Sequence, residues 1–178
     1  MKFYNLNSFY IITELKEHFD NKMKLLSLIN STKSDSIKEN NDFVTKTDWQ
    51  FKDEKRVYVE EFYKIIQPYM DQMAKKLNCN EWDINTIWFQ LYNKKSKHDW
   101  HVHTNTNYTN IYYLNLPNNT LKTQLYDVRE QKVIDSIEIK EGQLLTFPAN
   151  IIHRSPENNT DDVKIIISFN SNFDKVMV

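Results

Sequence analysis

Only one glycine, Gly142, occurs in this chain of 178 residues. Loops that cradle phosphate need several glycines close together, so dinucleotide-binding and P-loop folds are excluded. Only one cysteine, Cys79, is present, which rules out an internal disulfide framework and a cysteine-based zinc site. Cys79 reads as a structural thiol at a helix-to-strand junction. No run of about 18 apolar residues exists, so no segment reads as membrane-spanning. The opening "MKFYNLNSFYIITEL" lacks a signal peptide's continuous apolar stretch and small-residue cleavage site, and a cytoplasmic location is expected. The Asn-x-Ser/Thr triplets at Asn107, Asn118 and Asn158 then follow from an Asn-rich composition alone. Net charge is −1, so no global basic field argues for nucleic acid as a partner.

What remains is ordinary in bulk: 40% apolar and 26% charged residues, enough chain for a substantial core. One domain over residues 1–178 is expected, monomeric or homodimeric. Residues 1–13 read as an extended lead-in, 21–30 as a short apolar helix, and the polar stretch 31–42 as a loop. Over 57–77, Val59, Phe62, Ile66, Met70, Met73 and Leu77 recur at helical spacing. Pro68 should kink that helix, and Asn78 is a fair C-terminal stop. Residues 1–80 are therefore a mostly helical flank.

From residue 81 to 174 the texture changes. Short runs rich in Ile, Val, Tyr and Phe cover 84–92, 100–103, 109–116, 122–128, 132–139, 143–147, 151–154 and 163–170. Polar turns separate them. The fold class is mainly β with flanking α-helices, and the eight runs point to a β-sandwich or jelly roll. The turns use Asn where other chains use glycine, because Asn best tolerates left-handed backbone among the remaining residues.

Three of the five histidines lie in "HDWHVHTN", residues 98–105. Side chains alternate in an extended segment, so His101 and His103 share a face with Asp99 and possibly Asn105. His98, Trp100 and Val102 should face the other way. His153 follows in "EGQLLTFPANIIHRSPEN", just past a strand and a proline turn, and a jelly roll can bring such distant segments together at its mouth. Three neutral imidazoles would make a facial metal site with open positions, and imidazole alone does not name the metal. The competing reading is surface or core-packed histidines. Lys164 opens the apolar strand "KIIISFN". A cation there needs an exposed end or an anionic partner, such as a carboxylate of a bound acid.

The span Trp88–Phe173 resembles the iron(II)- and 2-oxoglutarate-dependent oxygenases. The residues that carry the resemblance are "HVHTNTNYTNIYYLNLP", "EGQLLTFPANIIHRSPEN" and "KIIISFNSNF", in that order and at matching spacing. It implies a double-stranded β-helix (jelly roll, cupin-like) holding Fe(II) at its open end. The implied activity is a dioxygenase that hydroxylates or demethylates an unidentified substrate, using O2 and releasing succinate and CO2 from 2-oxoglutarate. Carried over by position, His101 and His153 become iron ligands. His103 falls where most such oxygenases have Asp or Glu, and Asp99 or a water held by Asn105 are lower-ranked alternatives. Lys164 falls where the family pairs a basic residue with the far carboxylate of 2-oxoglutarate. Tyr92 and Tyr113 could donate hydrogen bonds to that carboxylate. Ile166 stands where the family often has Ser, and Asn110 where it has a strand glycine.

Two other readings compete. A cupin-type metalloprotein without 2-oxoglutarate chemistry would want a Glu three to five residues beyond His103. Thr106, Asn107 and Tyr108 occupy those positions. A non-catalytic ligand-binding jelly roll would leave Lys164 exposed. The lysines of "NKKSK" (93–97) read as a solvated loop.

Overall fold

The computed structural model describes residues 8–174. Residues 1–7 of the expected lead-in lie outside the described residues. In chain order the elements are β1 (Ile11–Glu14), α1 (His18–Ser31), β2 (Asp35–Glu39), β3 (Asp42–Thr47), α2 (Val57–Leu77), β4 (Glu81–Tyr92), β5 (His98–His101) and β6 (Tyr108–Asn115). Then come β7 (Gln124–Asp127), β8 (Lys132–Ile134), β9 (Gln143–Pro148), β10 (His153–Ser155) and β11 (Lys164–Asp174). The strands form a seven-stranded sheet, β1-β9-β6-β11-β4-β3-β2, and a four-stranded sheet, β5-β10-β7-β8. All pairings are antiparallel. The fold is the jelly roll expected from the eight strand runs.

The front of the chain differs from expectation. Residues 31–42 are not a loop: Asp35–Glu39 pairs with Asp42–Thr47 as a hairpin that extends the large sheet. The polar composition misleads because β2 is an edge strand with four of its five residues exposed, so no apolar alternation marks it. Its turn is Asn40-Asn41, with Asn40 at φ 53°, the left-handed conformation that Asn supplies in place of glycine. Asn78, at φ 55°, ends α2 in the same way.

The helix and the long strand β11 read as the periodicity requires. Tyr58, Phe62, Ile66 and Met70 form the buried stripe of α2, with Pro68 accommodated inside it. Along β11, Ile165, Ile167 and Phe169 join that stripe in one apolar cluster. Ile166 joins the second cluster inside the jelly roll, with Tyr113, Leu145 and Phe147. Strand alternation therefore turns Lys164, Ser168 and Asn170 toward the jelly-roll interior and locks the opposite face under the helices. Asp48, fully buried, ties the layers together. It accepts from the Phe89 amide at 2.8 Å, the Arg56 guanidinium at 2.9 Å and the Tyr58 hydroxyl at 2.6 Å.

Candidate metal centre

His153 on β10 pairs directly with His101 on β5. His103, two residues beyond β5, is held in place by its amide donating to the Ala149 carbonyl at 3.0 Å. This register brings the three imidazoles together, with ligand atoms all within 4.8 Å of one another. Ring centroids are 4.2 Å apart for His101 and His153, and 5.1 Å for His103 and His153.

The hydrogen bonds decide which nitrogen faces the centre. Nδ1 of His101 meets the Asp99 carbonyl at 2.7 Å, and Nδ1 of His153 meets the Ile151 carbonyl at 2.9 Å. Nδ1 of His103 meets Oδ1 of Asn170 at 2.5 Å. Carbonyl oxygens only accept, so each Nδ1 carries its proton and each Nε2 keeps a lone pair. Metal-binding histidines are commonly oriented by a second hydrogen bond of this kind. Burial holds all three imidazoles below their ordinary range, most strongly His153, so they stay neutral and available as ligands. Asp99 is not part of the cluster, and its Oδ1 accepts from the Trp100 amide. Asn105, at φ 60°, sits in the following turn, where its carbonyl accepts from Asn85.

Lys164 is 1% exposed, which removes the exposed strand-start reading. Its Nζ donates to the Ser155 hydroxyl at 2.7 Å and sits over the Tyr92 ring at 4.7 Å, with the Tyr113 ring at 5.9 Å. Among the described residues no carboxylate pairs with it. Desolvation brings its ammonium down to about 7. Burial pushes the Tyr92 and Tyr113 hydroxyls up, the latter to about 12, so both remain neutral donors. The Tyr113 hydroxyl already donates to Thr123 Oγ1 at 2.8 Å and accepts from the Thr123 amide.

Several residues of this region escaped the sequence reading. His98 does not face away: it stacks on His101 with centroids 3.9 Å apart. A register shift between β5 and β10 breaks the simple alternation on which that expectation rested. Ser155 could have been found, because it lies two residues past His153 on the same strand. Thr109 is buried beside the histidines, and its hydroxyl has no hydrogen-bond partner. That orphan donor and the ammonium without a carboxylate partner both suit an anionic, oxygen-rich ligand. The space there is only about 20 Å³, room for one water, so a larger ligand displaces side chains. Gln90 and His98 line both this space and a larger groove of about 540 Å³ outside the histidines.

The other candidates are accounted for by the surface. Arg154 stacks on Trp100 at 4.4 Å and donates to Gln124. In the loop after β4, Lys94 pairs with Asp161 and Lys95 with Glu157.

Residues 86–170 match the family model described as "Putative 2OG-Fe(II) oxygenase". Those residues, just under half of the chain, are similar to that family. Iron(II) is the family's metal and 2-oxoglutarate its cosubstrate, and the three-histidine cluster, orphan hydroxyl and unpaired lysine suit that pair. Solved structures show the same fold. The alpha-ketoglutarate-dependent epimerase SnoN from nogalamycin biosynthesis has a TM-score of 0.69 at 13% identity, covering 91% of this chain and 76% of its own. A Pseudomonas putida prolyl-4-hydroxylase has a TM-score of 0.66 at 10% identity, covering 94% and 92%. A prolyl hydroxylase from Trichoplax adhaerens has a TM-score of 0.65 at 16% identity, covering 93% and 83%. No curated protein sequence matches the chain. No described helix of this oxygenase is long and apolar enough to cross a membrane.

Proposed function

We propose that this oxygenase hydroxylates a C–H bond of a substrate held in the outer groove, or demethylates it by hydroxylating an N- or O-methyl group. In this reading His101, His103 and His153 hold Fe(II) through Nε2, and Lys164 fixes the far carboxylate of 2-oxoglutarate. The observation that carries it is the common tethering of the imidazoles: every Nδ1 is committed to a carbonyl oxygen, leaving each Nε2 lone pair free in a cluster whose ligand atoms lie within 4.8 Å of one another.

When bound, the metal and cosubstrate supply the oxidant: 2-oxoglutarate and O2 become succinate and CO2, and the second oxygen atom enters the substrate. The chain's own groups bind and orient. Ser155 and the Tyr92 ring hold the Lys164 ammonium in place for a carboxylate. A lysine offers a point charge rather than a bidentate fork, so the Thr109 and Tyr92 hydroxyls are the available supplementary donors, that of Tyr113 being committed to Thr123. Phe147, packed edge-on against His153 at 4.8 Å, helps exclude water from the buried side of the triad.

The test is an anaerobic titration of purified protein with Fe(II), then 2-oxoglutarate, following the visible metal-to-ligand charge-transfer band. The expected result is a band in the wild type that His153→Ala abolishes. Iron binding without a band would favour a cupin-type metalloprotein, and no iron binding would refute the assignment.

A further inference from the structure

The outer groove, about 540 Å³, opens onto His98, His101 and His103. Its charged lining is of one sign only: Glu39 and Asp42, both on the β2–β3 hairpin. Glu39 has no ion-pair or hydrogen-bond partner among the described residues. Asp42 accepts from the Asp99 amide through Oδ1 at 2.6 Å, while Oδ2 lies 3.7 Å from His98 Nε2, beyond hydrogen-bond length. The apolar part of the groove is two tryptophans packed edge-to-face, Trp49 and Trp88, 4.6 Å apart. Trp88 is only 5% exposed, yet its indole N–H makes no hydrogen bond to any described residue. Lys52 reaches the Trp49 ring at 4.8 Å but does not line the groove.

Unneutralised carboxylates beside aromatic faces select a cation with an apolar stem. The ring quadrupole and the carboxylates both favour the charge, and the faces shed water against the stem. An anion would meet two like charges with no donor of positive sign. We propose that the substrate is an amine: a protonated ammonium or guanidinium group on an aliphatic stem, seated between the hairpin acids and the tryptophans. Its oxidised carbon then lies toward the histidines. This inference rests on the oxygenase reading above for its chemistry, but its binding step does not need iron.

The test uses the full chain without iron, so its failure is separable from failure of the charge-transfer titration. The probes are hexylammonium, hexanol and hexanoate, titrated while the tryptophan indole resonances are followed by NMR. Expected is saturable movement of the Trp49 and Trp88 signals, with half-saturation for hexylammonium at least ten-fold below that of either other probe. The double variant Glu39→Gln, Asp42→Asn keeps the hydrogen-bonding shape and should reduce that preference to under three-fold. Equal or tighter binding of hexanol or hexanoate, an undiminished preference in the variant, or no saturable shift with hexylammonium would each overturn the proposal.

Discussion

Replacing Lys164 by Met should stabilise the metal-free protein, and the gain should shrink as pH rises. The ammonium is fully buried with no anionic partner, and desolvation lowers it from 10.5 to about 7. At about 1.36 kcal/mol per pH unit, that gap corresponds to roughly 5 kcal/mol of cost for folding with the group charged. The unfolded chain binds more protons than the native state between pH 7 and 10.5, so native stability rises with pH across that window. The cost is therefore present in full below about pH 7 and gone by about pH 10.5. Met fills a similar volume without charge, against the loss of one hydrogen bond to Ser155, worth about 1 kcal/mol. The variant's advantage should be several kcal/mol at pH 6 and about 3 kcal/mol smaller at pH 9. In a chain of this size that narrowing moves the difference in Tm by roughly 5–10 °C. Thermal unfolding of both proteins by circular dichroism from pH 6 to 9.5 measures it. A gap independent of pH, or a wild type more stable at pH 6, would refute a buried, uncompensated ammonium. The same variant should fail to bind 2-oxoglutarate while still binding iron, since the cost in the free protein is what a bound carboxylate offsets.

Three other outcomes follow from the same contacts. Asn170→Ala removes the acceptor that orients His103, and should weaken iron binding by about 10- to 100-fold in a chelator competition without unfolding the chain. Asp48→Asn leaves one oxygen for the Phe89 amide but strands the Arg56 charge and the buried Tyr58 hydroxyl, and should cost about 3–5 kcal/mol in urea unfolding. Gly142→Ala should cost more than about 1 kcal/mol by the same assay, because its backbone sits at φ 82° and the new Cβ would lie 2.8 Å from the His18 ring.

The parts of the fold legible in the sequence are those where one face is buried and the other is not. The stripe of α2 is visible at helical spacing because α2 covers one side of a sheet. The eight strand runs from residue 84 onward are visible because β-branched and aromatic residues fill both clusters. The hairpin Asp35–Thr47 was hidden, because an edge strand facing water has no hydrophobic period to read. The histidine triad was legible from its order and spacing, but the stacking of His98 on His101 was not, since a local register shift overrides alternation. Thr109 is invisible for a different reason. A small hydroxyl on a strand carries no signal until the register shows which side chains it faces.

Strand β11 links stability to the site. Its even-numbered residues from 164 to 170 face the jelly-roll interior, and Ile165, Ile167 and Phe169 pack beneath the helices. A slip of one residue would carry Lys164 into the apolar cluster under α2, away from Ser155, and would withdraw Asn170 from His103. The strong apolar packing of the odd residues is thus what holds the polar even residues in register. The charge layout follows the same division. With the ligands proposed above, three neutral imidazoles leave the full double charge of the ion, the dianionic cosubstrate balances it, and the Lys164 ammonium remains as surplus. Two carboxylates of the outer hairpin, Glu39 and Asp42, line the groove, and Lys164 does not. The segment that sequence reading took for a polar loop would then serve two purposes, closing the large sheet and setting the sign of charge the groove admits.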